Sequence, residues 1–166
     1  MHVLSLPEIE TLRAFALQNA AELLAEAEIL FQHKKFARTY TLAHLSSEEL
    51  AKLPILAAYG VNLANGKTIN WAVLDNKLRS HETKLKGLLF VDLLGTGIDP
   101  TAKTIPVHKK AMSRVELFNT LKNANLYAGV YQGELYRPNS MFTEKLALSC
   151  NRAHPSSEAP PEGLHF

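Results

Sequence analysis

The sequence predicts an all-α fold, an antiparallel helical bundle with a small β-hairpin near the C-terminus, and three observations carry that expectation. Apolar residues recur at helical spacing from Ile9 to Phe31 without a break. Two capping-box patterns, Ser5 with Glu8 and Ser113 with Glu116, mark helix starts. One stretch, LYAGVYQGELYRP at 126–138, alternates aromatic with small or polar residues around Gln132-Gly133, a pair suited to a two-residue hairpin turn. At 166 residues, 46% hydrophobic and 20% charged, the chain is sized for one core. A single domain is expected over 1–150. The tail 151–166, with Pro155, Ser156, Ser157, Pro160 and Pro161, has nothing to bury and is expected to be disordered.

The first helix is expected to start near Leu6, with Pro7 tolerated in its first turn, and to run for about 25 residues or ~40 Å. Its stripe is Ile9, Leu12, Ala16, Ala20, Leu23, Leu24, Ala27, Leu30 and Phe31, with the alanines allowing close approach of another helix and Asn19 at the margin as an interhelical contact. Gln32-His33-Lys34 turns the chain, with His33 in solvent, into an antiparallel second helix. That helix runs to about Tyr59 and is kinked at Pro54, which removes a backbone donor. Gly60 to Lys67 reads as a loop around Asn65-Gly66, and a third helix is expected over 69–90.

Residues 91–110 hold two glycines and two prolines and read as a long loop. Gly95-Thr96-Gly97 is too short for a phosphate-binding fingerprint, and His108-Lys109-Lys110 reads as a solvated basic patch. A fourth helix spans about 113–123, the hairpin ends at Pro138, and a last short helix covers 143–149.

The polar residues on apolar faces carry the functional argument. On a wheel of about 100° per residue, Arg38, Leu42, Leu45, Glu49 and Leu53 fall within roughly 60°, with Lys52 at the edge. A charge in an apolar stripe costs several kcal/mol unless paired, so Glu49 is kept there as a structural pair or for chemistry. On the third helix His81 shares a face with Leu74, Leu78, Leu85 and Leu88, while Lys84 flanks it. The bland reading of Glu49 is a salt bridge to Lys84 or Arg38 that pins the bundle.

Composition and motifs remove several classes. A net charge of +2 announces no strong field for nucleic acid. The single Cys150 excludes a disulfide framework and a four-cysteine zinc site, which suits a reducing cytosol. No signal-like start and no run of about 18 apolar residues is present, so a cytoplasmic protein without a membrane segment is expected. The paired Glu-x-x-His motifs of di-iron bundles are missing. So are a zincin motif (Thr83, Lys84 and Leu85 follow His81-Glu82), a Walker loop and a nucleophile elbow. Neither a metal nor a cofactor is expected. What remains is histidine, cations and a carboxylate in a bundle, which suffices for RNA cleavage by the 2′-hydroxyl route: an acid or base, and a cation to steady the phosphorane.

The stretch ALQNAAELLAEAEILFQHKKFARTYTLAHLSSEELAK, with its Asn-Ala start, Phe-Ala-Arg step and Glu-Glu-x-x-Lys end, resembles the opening helices of AbiV-type abortive-infection proteins, a branch of the HEPN superfamily. SHETKL at 80–85 resembles that family's His-x-x-Lys segment, and LYAGVYQGELYRP its aromatic hairpin, so the similarity spans about 14–148. The resemblance implies a HEPN-like AbiV-type domain in a cytoplasmic anti-phage protein and a homodimer. It also implies that RNA is the substrate if, like many HEPN relatives, this chain is a metal-independent ribonuclease. The superfamily motif, an arginine followed by histidine after four to six residues, is met by Arg38 and His44, although the wheel sets them about 120° apart. Glu49, Lys52, His81 and Lys84 match segments typical of the AbiV branch and rank first as catalytic candidates, with Arg38 and His44 behind. Two readings stay open: an enzyme in which His81 is acid or base, Lys84 and Lys52 stabilise phosphate charge and Glu49 orients them, or a catalytically silent module that senses a phage protein or blocks translation through a host protein.

Overall fold

A computed structural model describes residues 3–81, 83–84, 87, 120–131, 133–138 and 144. α1 runs Leu6–Gln32, and its start is the expected capping box: the Ser5 backbone N–H and hydroxyl both donate to Glu8 Oε2, at 2.7 and 2.6 Å. Its end is a Schellman turn, in which Lys34 N–H donates to Phe31 O and Lys35 N–H to Leu30 O, both at 2.9 Å. Lys34 there takes φ 55°, a left-handed conformation that usually falls to glycine. The same turn closes α3, where Gly66 at φ 67° fills the position with no such cost.

α2 spans Phe36–Leu50 and α3 spans Lys52–Ala64, so the expected single kinked helix is two helices joined at the buried Ala51. The cause is the proline the sequence pointed to. Pro54 has no N–H to offer the Leu50 carbonyl four residues back, so the ladder breaks there and Pro54 sits in the first turn of α3. Together α2 and α3 run back along α1. Ser46 Oγ donates to Ala20 O at 2.7 Å near the middle of α1, and the buried Gly60 of α3 faces Leu6 and Ile9 at its beginning. The α1 and α2 crossing is made of small residues, Ala16, Ala20 and Ala27 against Ala37, Thr41 and Ala43, all buried. Leu24, expected in the stripe, is exposed, as is Asn19. His33 is in solvent as expected.

α4 spans Trp71–Arg79 and starts at Asn70, whose side chain accepts from Val73 N–H at 3.1 Å. Leu74 of α4 completes a core cluster with Ile9 and Leu56, ringed by Leu12, Ile55, Tyr59, Leu63, Trp71 and Leu78. The third helix does not continue unbroken to 90. Ser80 is extended at ψ 111°, and its hydroxyl accepts from Thr83 N–H at 3.2 Å, so it ends α4 and caps a new helical segment containing His81, Thr83, Lys84 and Gly87.

Residues 120–126 are helical, and β1 (Gly129–Tyr131) pairs antiparallel with β2 (Glu134–Tyr136) at the predicted hairpin, with Gly133 at φ 84°. Gly129 lies across from Tyr136, whose ring would come within 3.0 Å of an added Cβ. Among the described residues no helix is long and apolar enough to cross a membrane. The loop 91–110, the Ser113 and Glu116 cap, most of the helix expected at 143–149 and the tail 151–166 lie outside the described residues.

Candidate functional site

The buried face of α2 is not the leucine stripe. Ala37, Tyr40, Thr41, His44 and Glu48 are buried, whereas Leu42, Leu45 and Glu49 are half-buried and Arg38 is exposed. Tyr40, His44 and Glu48 follow one another at i, i+4 spacing and so lie one above the next. The Tyr40 and His44 rings are near-parallel, at 8° and 6.3 Å between centroids. The wheel took the large aliphatic residues as the core side; the small residues of the α1 crossing fix the opposite phase, and the inward carboxylate is Glu48 rather than Glu49.

Glu48 is 2% exposed, and each of its oxygens is shared by two positive or N–H-bearing groups. Oε2 accepts from Lys84 Nζ at 3.0 Å and contacts His81 Nδ1 at hydrogen-bond range. Oε1 accepts from Lys122 Nζ at 3.3 Å, and His44 Nε2 approaches it to 3.2 Å outside hydrogen-bond alignment. Lys122 Nζ is also 3.5 Å from His81 Nδ1. Three chain segments therefore meet on one carboxylate: α2, the helical segment after Ser80, and the helix at 120–126.

Burial alone would push the Glu48 carboxyl up. The approach of His44, the hydrogen bonds of Lys84 and His81 and the charge of Lys84 outweigh it and hold the group well below the usual carboxylate range. An ionised carboxylate only accepts, so His81 Nδ1 carries the proton of their shared hydrogen bond. The Nε2 atom of His81 is then the ring nitrogen not engaged by Glu48, and the His81 side chain is 48% exposed while those of Lys84 and Lys122 are 6% and 8% exposed. The arrangement amounts to an imidazole held in one tautomer by a buried carboxylate and flanked by two ammonium groups.

The six residues read from the sequence divide as follows. His81, Lys84 and His44 converge on Glu48. Glu49 and Lys52 do not join them: Lys52 Nζ donates to Glu49 Oε1 at 2.5 Å, three residues away across the Ala51 joint. The expected meeting of Glu49 with His81 is thus replaced by that of Glu48 with His81. Arg38 is exposed and His44 is 4% exposed, so the arginine and histidine of the superfamily motif are not gathered within the chain. His81 and Lys84 exchange the burial expected for them, because the break at Ser80 resets the helical phase: Lys84 is buried and His81 reaches the surface.

Glu48 and Lys122 were missed as site residues. The signal for Glu48 was the i, i+4, i+8 series Tyr40, His44, Glu48, which places two hydrogen-bonding side chains and an aromatic ring on one face. Lys122 carried no comparable signal, since a lysine near the end of a short helix is solvated by default. Asn125, one turn on, is fully buried; its Nδ2 donates to Leu121 O at 2.7 Å.

Against known proteins, the chain matches the family model HEPN_AbiV, described as AbiV, over residues 8–157. That span contains all but the first two residues of α1, the whole of α2, α3 and α4, the hairpin and every member of the Glu48 cluster. No curated protein and no solved structure matches the chain.

Proposed function

The chain belongs to the AbiV family of HEPN-type abortive-infection proteins, and from that membership and the Glu48 cluster we propose that it arrests phage-infected cells by cutting RNA through the 2′-hydroxyl route. The observation that supports this reading is the half-exposed His81 whose Nδ1 is bound by the buried Glu48, with two lysine ammonium groups on the same carboxylate at 3.0 and 3.3 Å. In this reading His81 Nε2 exchanges a proton with the attacking or leaving oxygen. Lys84 and Lys122 supply positive potential in a poorly solvated setting, where charge acts more strongly than in water. Glu48 fixes the histidine tautomer and keeps both ammonium groups in place. His81 and Lys84 thus keep the roles the sequence suggested, while Glu48 and Lys122 take those first given to Glu49 and Lys52. Homodimerisation in the cytoplasm completes the proposal.

Purified protein incubated with total RNA in the presence of a chelator tests it. Wild type cleaves, and His81→Ala slows cleavage by about 10²–10⁴-fold, the usual worth of a positioned acid or base. Undiminished cleavage by His81→Ala removes the proposed role. A second reading has its own observation: with Arg38 exposed and His44 sealed, the literal superfamily motif is not assembled in one chain, as expected of a silent module acting by contact with a phage or host protein. Growth arrest by a wild-type protein that leaves RNA intact would select that reading.

A further inference from the structure

We infer that His44 is a positioning residue: from behind Glu48 it holds the carboxylate in the orientation that keeps the His81 proton on Nδ1. The inference rests on the catalytic reading of His81 and gives a role to a side chain which that reading leaves unused. His44 is 4% exposed and so sealed from RNA, yet its Nε2 lies 3.2 Å from Glu48 Oε1. Helix geometry brings this about. Side chains on a helix lean toward its N-terminus, so Glu48 lies back over the turn of α2 that carries His44 four residues earlier. Oε1 thereby rests against His44, and Oε2 meets Lys84 and His81.

Of the four side chains on the carboxylate, His44 is the one that shares its helix. His81 and Lys84 arrive from the segment after Ser80 and Lys122 from the helix at 120–126. A lysine ammonium on its flexible four-carbon stem follows an oxygen rather than fixing it. His44 is a rigid ring on the same backbone as Glu48, and the buried Tyr40 ring lies nearly parallel to it, at 8° and 6.3 Å between centroids. Its Nε2 is buried with no aligned hydrogen-bond partner and faces Oε1. An unprotonated Nε2 there would set a lone pair against an ionised carboxylate, so the ring proton belongs on Nε2. His44, Glu48 and His81 thus make one chain of contacts, and the hydrogen bond that the fixed carboxylate accepts decides which His81 nitrogen carries the proton.

Nitrogen NMR of the intact protein, isotope-labelled at its histidine rings, reads both tautomers with no RNA present, the signals being assigned by their loss in His81→Gln and His44→Phe. Wild type is expected to carry the His81 proton on Nδ1 and the His44 proton on Nε2. His44→Phe keeps an aromatic ring beside Tyr40 but offers no N–H, and in it His81 shifts toward the Nε2–H form. Its kcat for RNA falls about 10–100-fold, the range seen when a group that orients a working side chain is removed. KM stays as in wild type, because the sealed side chain touches no substrate. His44→Gln, whose amide N–H₂ also donates, restores most of the tautomer and of kcat, which a loss due to loosened packing would not allow. The exposed His33→Gln changes neither. An unprotonated His44 Nε2 in wild type overturns the inference whatever the variants do, and so does an unaltered His81 tautomer in a His44→Phe protein whose circular dichroism shows it folded. Wild type that cuts no RNA while His81 changes tautomer as described supports this inference and sinks the catalytic reading alone. Cleavage through His81 with a tautomer indifferent to His44 sinks this inference alone.

Discussion

Glu48 and Glu49 are neighbours of identical chemistry, and about 100° of helix rotation gives them different physics. Glu49 makes a local pair with Lys52 in which both side chains keep contact with solvent, at 17% and 23% exposure. Glu48 is sealed among four partners. Replacing Glu49 with Gln is expected to cost about 1 kcal/mol or less, as for other partly solvated pairs. Replacing Glu48 with Gln strands two buried ammonium groups and is expected to cost about 3–5 kcal/mol. Urea unfolding of the two variants measures the contrast, and equal costs would mean that the cluster is not buried as described. The pH dependence has a definite sign. Because the folded protein holds Glu48 below its ordinary value of 4.5, the stabilisation is complete above that value and is lost as pH falls beneath it. The stability gap between wild type and Glu48→Gln should therefore be constant near neutrality and narrow below about pH 4.5.

At the scale of elements, existence was legible and phase was not. The Ser5 and Glu8 cap, the alanine stripe of α1, the turn at 32–34 and the hairpin around Gly133 follow from local chemistry that needs no tertiary partner, and each lies where the sequence put it. The failures have two causes. A wheel drawn over a long helix assumes a continuous ladder, but Ser80 breaks it and resets the phase of His81 and Lys84. His81 and Lys84 were named correctly and given each other's burial for that reason. On α2 the error came from weighting leucines as core when the close approach of α1 selects alanine, threonine and serine. Ser80 offers a direct check. Ser80→Ala removes the acceptor for Thr83 N–H and is expected to cost about 1 kcal/mol, as caps usually do. It should also lower the proposed RNA cleavage more than that loss of stability explains, because the cap sets the direction of His81. Cleavage unchanged in a folded Ser80→Ala protein would show that the cap does not aim the histidine.

Over the whole molecule, two kinds of tie hold the chain together, and they respond differently to acid. The crossing of α1 with α2 rests on small apolar residues and on the bond from Ser46 Oγ to Ala20 O, none of which titrates. The attachment of the segment after Ser80 and of the helix at 120–126 runs through one acceptor, Glu48, contacted by His81, Lys84 and Lys122 across 33 to 74 residues of sequence. Protonating that carboxylate removes the acceptor from both segments at once and leaves the Lys84 and Lys122 ammonium groups without their shared counter-charge. Hydrogen exchange below pH 4.5 should therefore show amides near 81–84 and 120–126 losing protection together, ahead of those in α1 and α2, and Glu48→Gln should reproduce the same pattern at neutral pH, since local opening follows the contacts that close it. Uniform loss of protection across all helices, or loss in one of the two segments without the other, would mean that the carboxylate is not what joins them.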